Sequence, residues 1–93
     1  MSVTPIEELI GWRRTADGAM WQEGGGAFGG AVFRRASVDH LVAWLDEQAR
    51  EWHLFRPEGR TWYVETELDG WRYVAEGGTI RAALAAAVRD LAR

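Results

Sequence analysis

Apolar residues recur at the spacing of a helix in three segments of the chain. The first segment begins at Thr4, which has the character of an N-cap, with Pro5 at the first helical position and Glu7 as its capping-box partner. These residues predict a short helix that runs to about Arg14. Its apolar stripe is narrow and consists of Ile6, Leu9 and Ile10.

The second and third helices have wider apolar stripes. Ser37 is a favourable N-cap for a helix that runs to about Glu51, and Thr79 caps an alanine-rich helix over 79–93. The predicted buried residues are Val38, Leu41, Val42, Leu45, Ala49 and Trp52 for the second helix, and Ile80, Ala83, Leu84, Ala87, Val88 and Leu91 for the third. Each helix therefore has one side that requires a partner in the core.

Between these two helices apolar and polar residues alternate, which is typical of strands. Three strands are predicted over 52–56, 60–68 and 71–76. Asp69-Gly70 favours a two-residue type I′ turn, and Pro57-Glu58-Gly59 favours a type I turn with a glycine bulge. The predicted cross-strand pairs are Leu68–Trp71, Glu67–Arg72, Thr66–Tyr73 and Val64–Ala75 in the second hairpin, and Leu54–Trp62, Trp52–Val64 and His53–Tyr63 in the first.

This register assigns each strand residue to one of two sheet faces. One face collects Trp52, Leu54, Trp62, Val64, Leu68, Trp71, Tyr73 and Ala75, and the other collects His53, Phe55, Tyr63, Glu65, Glu67, Arg72, Val74 and Glu76. The tryptophan-rich face is the one large enough to receive both apolar helices. The sequence thus predicts an α+β fold, with helices packed on a three-stranded antiparallel meander in the order α-(loop)-α-β-β-β-α. If the first helix covers the second face, as we expect, the fold is an α/β/α sandwich; if it lies beside the other helices, that face is open.

The remaining segment, 15–36, has no clear period. It contains Gly24-Gly25-Gly26 and Gly29-Gly30, which are costly to order and predict a glycine-rich loop within a single domain over 1–93. The apolar residues of this segment favour a short strand near 31–34.

Composition excludes several classes of protein. The chain has 93 residues, six of them Trp, which is enough for one core, and it has no Cys for a disulfide framework, a thiolate metal site or a Cys nucleophile. A formal net charge of −3 argues against a general nucleic-acid or membrane-surface binder. Because the sequence shows neither a signal-peptide pattern nor an apolar run of membrane-spanning length, we expect a cytoplasmic protein.

Several features resemble the phage ABA-sandwich domain, a family of small phage proteins. The residues that carry the resemblance are Gly11-Trp12, Trp21, Ser37-Val38-Asp39, Trp44, Trp62-Tyr63-Val64, and Ala75-Glu76-Gly77-Gly78-Thr79 before Ala82, Ala83, Leu84 and Ala86. The resemblance covers most of the chain outside the glycine-rich segment. It implies an accessory protein of a phage or prophage with no known catalytic site, and proteins of this type often act in host takeover or counter-defence.

The closing strand, Gly77-Gly78-Thr79 and the alanine-rich helix are also similar to HicB antitoxins, which have a partial ribonuclease-H-like fold. The element order is shared with double-stranded-RNA-binding domains. That family implies a lysine-rich start to the last helix, whereas Ile80-Arg81-Ala82 carries one Arg and the chain has no Lys. This difference argues against RNA binding.

One group of candidate site residues lies on the second sheet face. His53, Tyr63, Glu65 and Arg72 bring titratable groups together over an aromatic floor, which suits a nucleotide or a partner peptide. A solvated face with an ordinary ion pair between Glu67 and Arg72 explains the same residues.

A second group lies outside the strands. Arg34 and Arg35 follow the glycine-rich segment and suit an anionic partner, and the backbone N–H groups of 24–30 suit a phosphate, although the Walker pattern is absent. Trp21 and Trp44 lie outside the predicted sheet core, and exposed Trp beside Arg is typical of interface hot spots. A plain loop and tryptophans used only as core explain these residues equally. Since no nucleophile has a base beside it, we expect no catalytic residue, no metal and no cofactor.

The leading hypothesis is a non-enzymatic binding module of a phage or prophage that sequesters a host protein or a small anionic, nucleotide-like ligand. One alternative is a HicB-like antitoxin or another nucleic-acid-linked regulator, which the net charge disfavours. Another is a structural protein that self-associates through the two edges of its sheet.

Overall fold

The structure is a computed structural model that describes residues 3–24, 30–59 and 61–92. Within these ranges it contains three α-helices and two three-stranded antiparallel sheets, which confirms the predicted α+β class. The chain divides into two compact units, Met1–Ala36 and Ser37–Arg93. The single domain and the α/β/α sandwich stay predictions. None of the helices in the described ranges has the length and apolar character needed to cross a membrane.

Three predicted features fall partly outside the described residues. The phosphate cradle predicted over 24–30 depends mainly on 25–29, the predicted strand over 60–68 begins at Arg60, and the last predicted helix ends at Arg93.

The N-terminal unit begins with helix α1, Ile6–Leu9. Its N-cap is Pro5, so the predicted cap at Thr4 is wrong by one residue, and no side chain caps the helix at Pro5. Glu7, the predicted capping-box partner, is buried, and its Oε2 accepts a hydrogen bond of 2.7 Å from the backbone N–H of Ala36. Because Ala36 is fully buried, this bond satisfies a donor that folding removes from water.

Helix α1 ends well before Arg14, where the sequence predicted its end. Gly11 has a φ of +89°. The N–H of Gly11 donates to the carbonyl of Glu8 at 3.0 Å, and the N–H of Trp12 donates to the carbonyl of Glu7 at 2.9 Å. These two bonds form a Schellman motif, in which a left-handed glycine terminates a helix.

A small sheet of order β1-β2-β3 follows, with strands at Arg13–Arg14, Trp21–Gln22 and Val32–Phe33. Strand β3 confirms the short strand expected near 31–34. Strand β2 corrects the prediction of a loop over 15–36, since a strand of two residues is too short to show alternation in the sequence.

The turn between β1 and β2 is held by its own hydrogen bonds. The carboxylate of Asp17 accepts from the Thr15 hydroxyl at 2.5 Å and from the Ala19 N–H at 3.0 Å. Both bonds lower the pKa of the exposed Asp17 carboxyl, and the bond from Thr15 has the larger effect. The turn brings Trp21 opposite Arg14 in the sheet.

The second unit begins with helix α2, Val38–Gln48. The predicted cap at Ser37 is confirmed, because its Oγ accepts from the N–H of His40 at 3.4 Å. The ring Nδ1 of His40 in turn accepts from the N–H of Ser37 at 3.0 Å, which completes a capping box that the sequence did not reveal. The predicted end at Glu51 is wrong, since Glu51 already lies in the next strand.

The main sheet has the order β4-β5-β6, with strands at Glu51–Phe55, Trp62–Leu68 and Trp71–Gly77. All the pairs predicted for the second hairpin are confirmed. Asp69 and Gly70 have φ values of +52° and +81°, and positive φ at both central residues is what a type I′ turn requires.

The predicted register of the first hairpin is wrong by two residues. The observed pairs are Trp52–Thr66, His53–Glu65, Leu54–Val64 and Phe55–Tyr63. The connection is longer than a three-residue loop, because Pro57–Gly59 forms a 3₁₀ turn in which Glu58 and Gly59 have φ values of +55° and +76°. A shift of two residues preserves the alternation, so both predicted faces of the sheet remain correct.

Helix α3, Ile80–Leu91, starts at the predicted cap Thr79, whose Oγ1 accepts from the N–H of Ala82 at 3.0 Å. It packs on β5 and β6, and α2 packs on α3 and β4. The buried residues of this unit are Leu41, Leu45, Ala49, Val64, Thr66, Ala75, Ala83, Leu84, Ala87 and Val88. Both helices thus cover one face of the sheet, as the sequence predicts.

The tryptophans are distributed differently from the prediction. Trp12 and Trp21, which lie outside the main sheet, are buried in the N-terminal unit, whereas Trp71, assigned to the sheet core, is 70% exposed. Trp44, Trp52 and Trp62 are half-buried. Alternation fixes the face on which Trp71 lies. Trp71 is nevertheless exposed, because it lies next to the turn and has only one cross-strand neighbour, Leu68.

Candidate functional site

The candidate site is the sheet face of β4, β5 and β6 that lies opposite α2 and α3. Each strand contributes three alternate residues in register. The rows are Glu51–Glu67–Arg72, His53–Glu65–Val74 and Phe55–Tyr63–Glu76, and we call these nine residues the outer face. Neighbouring strands are about 4.8 Å apart and alternate residues about 6.8 Å apart, so the outer face measures about 10 by 14 Å between its outermost Cα atoms.

One corner of the outer face is aromatic. The rings of Phe55 and Tyr63 stack with their centroids 5.6 Å apart and an interplanar angle of 21°. Phe55 is 40% exposed, and Val74, diagonal to Tyr63 on the next strand, is 62% exposed. A surface concavity of about 620 Å³ adjoins this corner and is lined by Pro57, Glu58, Thr61 and Tyr63. Contiguous exposed apolar groups beside a concavity are typical of an interaction surface.

The ion pair of Arg72 differs from the prediction. Glu67 and Arg72 lie directly opposite each other, as predicted, but Arg72 Nη1 donates to Oε1 of Glu65, which is diagonal to it. Both side chains are accessible to solvent, so the pair contributes little to stability. Its consequence for the site is that the guanidinium of Arg72 already has a carboxylate partner.

His53 also has a different partner from the predicted one. The register places it opposite Glu65 rather than Tyr63. Its Nε2 lies 3.0 Å from Oε1 of Glu51, two residues earlier on the same strand. The arrangement predicted from the sequence, with His53 against the aromatic ring, is therefore absent from the outer face.

The outer face is acidic. Its carboxylates are Glu51, Glu65, Glu67 and Glu76, and its one permanent cation is Arg72. Arg72 and the aromatic Phe55 occupy opposite corners, roughly 17 Å apart. Glu76 lies in the row of the aromatic corner and Glu65 in the next row, whereas Glu51 and Glu67 lie in the far row beside Arg72.

The structure brings together four of the residues proposed from the sequence, His53, Tyr63, Glu65 and Arg72, on one face. Trp44 is not among them, because it lies on α2 and is half-buried.

The other three proposed residues, Trp21, Arg34 and Arg35, belong to the N-terminal unit. Trp21 is only 4% exposed, and the guanidinium Cζ of Arg14 lies 4.3 Å from its ring centroid. Of the two roles left open for Trp21, an exposed hot spot and a buried core residue, the structure shows the buried one. Arg34 and Arg35 are exposed at a bend after β3. Their binding role stays a prediction.

Five residues of the outer face were missed as site candidates, namely Glu51, Phe55, Glu67, Val74 and Glu76. Alternation places the last four on this face, but the candidates from the sequence were chosen among converging titratable groups, and Glu51 was assigned to the end of the second helix. Fractional exposure was the missing signal, since it identifies Phe55 and Val74 as large apolar side chains left open to solvent.

In the described part of the chain, no group of three His, Cys, Asp or Glu side chains has the arrangement that a metal ion needs. In comparisons with known proteins, no family model, curated protein or solved structure matches this chain. The resemblance to the phage ABA-sandwich family stays a prediction, and the outer face is the basis for inferring function.

Proposed function

We propose that this chain is a non-enzymatic accessory binding module, of the phage type that its sequence resembles, and that it sequesters a host protein through the outer face. The observation that carries the proposal is the exposure of Phe55 and Val74 beside the stacked ring of Tyr63. A partner that covers these groups removes apolar surface from water, which contributes about 25 cal/mol per Å². Aromatic residues are enriched at the centres of protein interfaces for this reason.

Charge favours a protein partner over the small anionic ligand considered from the sequence. An anion on the outer face would meet four carboxylates, and Arg72 is already paired with Glu65. The sheet surface is also open, whereas small-molecule sites bury most of their ligand in a cleft. The host-protein form of the hypothesis is therefore the one supported by the composition of this face.

Photo-crosslinking tests the proposal. Val74 is replaced by p-benzoylphenylalanine, and the chain is irradiated in a lysate of the bacterium that carries the gene. We expect one defined crosslinked protein, and an excess of the unlabelled wild-type chain should compete it away. The Phe55→Ser/Val74→Ser double variant should compete poorly, because it lacks the apolar contacts. Val32→Ser removes a comparably exposed valine, 51% exposed in β3, and should compete as well as wild type.

Three results would contradict the proposal. Equal competition by the Phe55→Ser/Val74→Ser variant would show that the outer face does not hold the partner. A crosslinked product that consists of two copies of this chain would identify self-association instead. Steady turnover of a nucleotide by the purified protein would contradict the non-enzymatic form.

A further inference from the structure

We infer that the partner segment bound at the outer face is basic, and that it places an arginine at the aromatic corner. This inference rests on the proposed function, since it names the chemistry of the partner at the same site. The first support is charge complementarity. Four carboxylates and one guanidinium lie on a face of about 10 by 14 Å, so three negative charges remain after Arg72 pairs with Glu65.

The second support is the arrangement of groups at the aromatic corner. Tyr63 lies directly opposite Glu76, and its ring stacks on that of Phe55. A guanidinium is planar and weakly hydrated, so it stacks on an aromatic ring while its N–H groups reach a neighbouring carboxylate. The row Phe55–Tyr63–Glu76 offers both partners within one strand spacing, and no other row of the outer face does.

The third support is the concavity beside Tyr63. Its lining includes the carboxylate-bearing Glu58 and the apolar Pro57, which suit the charged head and the methylene stem of a long cationic side chain. Arg56, which precedes Pro57, has its guanidinium Cζ 5.0 Å from the ring centroid of Trp62 and is engaged there. Arg56 on Trp62 and Arg14 on Trp21 show that this fold already uses the same stacking internally.

The inference is tested on the full chain with three short peptides that differ at one residue type. Their sequences alternate glycine with arginine, with citrulline or with glutamate. Citrulline keeps the shape of arginine but lacks its charge. In ¹H–¹⁵N and methyl NMR spectra, we expect the arginine peptide at about 1 mM to shift the signals of Tyr63, Val74 and Glu76. We expect the citrulline peptide to bind at least about fivefold more weakly and the glutamate peptide to cause no shift.

Matched carboxylate variants separate a local effect from a change in net charge. Glu76→Gln should weaken binding of the arginine peptide about fivefold, because it removes the carboxylate opposite Tyr63. Glu47→Gln removes the same charge from the exposed side of α2 and should leave affinity unchanged. Binding should also weaken as salt is added, because the contacts are exposed to solvent.

Equal binding of the citrulline and arginine peptides, equal losses in the Glu76→Gln and Glu47→Gln variants, or no shift on the outer face would overturn the inference. None of these results bears on the crosslinking test, which does not depend on the charge of the partner. If the chain crosslinks a host protein but does not bind the arginine peptide, the proposed function stands and the inference of a basic partner segment is wrong. If the chain binds the arginine peptide but crosslinks no host protein, the proposed function fails, and with it the assignment of the basic segment to a host partner.

Discussion

At Gly77 the main sheet and the start of helix α3 approach each other too closely for a side chain. A Cβ at this position would lie 2.4 Å from the backbone nitrogen of Ala83 and 2.8 Å from the Cβ of Ala82. Neither atom can rotate away, so Gly77→Ala must displace the first turn of the helix from the sheet. We expect a loss of about 2 kcal/mol in the free energy of unfolding, measured by urea denaturation followed by tryptophan fluorescence.

Gly78 supplies the control for this prediction. A Cβ there would meet no atom within 4 Å, so Gly78→Ala should change the free energy of unfolding by less than about 0.5 kcal/mol. If both variants lost the same stability, the loss would not come from the contact at Gly77. The entropy of the unfolded chain would not explain it either, because replacing glycine by alanine lowers that entropy and stabilises the fold.

The burial of single aromatic residues is where sequence reasoning was least informative. Alternation correctly placed Trp71 on the helix-covered side of the sheet, yet this residue is 70% exposed. Trp12 and Trp21 showed no period that could be interpreted, yet both are buried. A period identifies the direction of a side chain, whereas burial depends on how far the neighbouring elements extend, and that is a tertiary property.

At the scale of elements, the two hairpins show what a turn sequence does and does not encode. Asp69-Gly70 predicts the register of β5 and β6 correctly. Two consecutive residues with positive φ form one kind of two-residue turn, and that turn fixes every pair between the two strands. Pro57-Glu58-Gly59 is compatible with several loops. Glu58 adopts a φ of +55°, which is uncommon for a residue other than glycine, and the predicted register is therefore wrong by two.

Helix α1 shows the same dependence on a single residue. Its apolar spacing suggests a helix that continues to Arg14, but Gly11 takes a left-handed conformation and ends it. Gly11 is visible in the sequence as a candidate helix terminator. A short, narrow apolar stripe carries too little packing energy to continue the helix past such a residue.

The type I′ turn gives a prediction at this scale. Asp69 has a φ of +52°, a conformation that asparagine tolerates and a β-branched residue does not. We expect Asp69→Val to lower the free energy of unfolding by about 1–2 kcal/mol and Asp69→Asn to leave it nearly unchanged. The measurement is the urea midpoint of each variant, together with the NMR contact between Leu68 and Trp71 that reports the register. Equal midpoints for the two variants would show that the turn conformation does not limit stability.

At the scale of the whole molecule, the candidate site was half predictable. Eight of the nine residues of the outer face follow from alternation alone, because alternation fixes the face on which a strand residue lies. The ninth, Glu51, was assigned to the end of the second helix and lies in β4. The pairing of these residues does not follow from alternation, since the shift of β4 by two residues moves His53 from Tyr63 to Glu65, and Arg72 contacts its diagonal neighbour. The acidic character of the face and the separation of Arg72 from Tyr63 were therefore present in the sequence, whereas the partners of His53 and Arg72 appeared only in the three-dimensional structure.

All nine residues of the outer face belong to the unit Ser37–Arg93, and this gives the last prediction. The unit has its own buried core, built on Leu41, Leu45, Val64, Leu84 and Val88, and both of its longer helices have side-chain caps. Domains of this length can fold alone when they bury enough apolar surface. We expect residues 37–93 to unfold cooperatively and to bind the arginine peptide within about twofold of the full chain.

Leu84→Ala in the same fragment should abolish the cooperative transition, because it opens a cavity at the centre of this core. A fragment that stays unfolded would show that the second unit requires residues 1–36, and a folded fragment that no longer binds the peptide would show that the outer face is not the complete site.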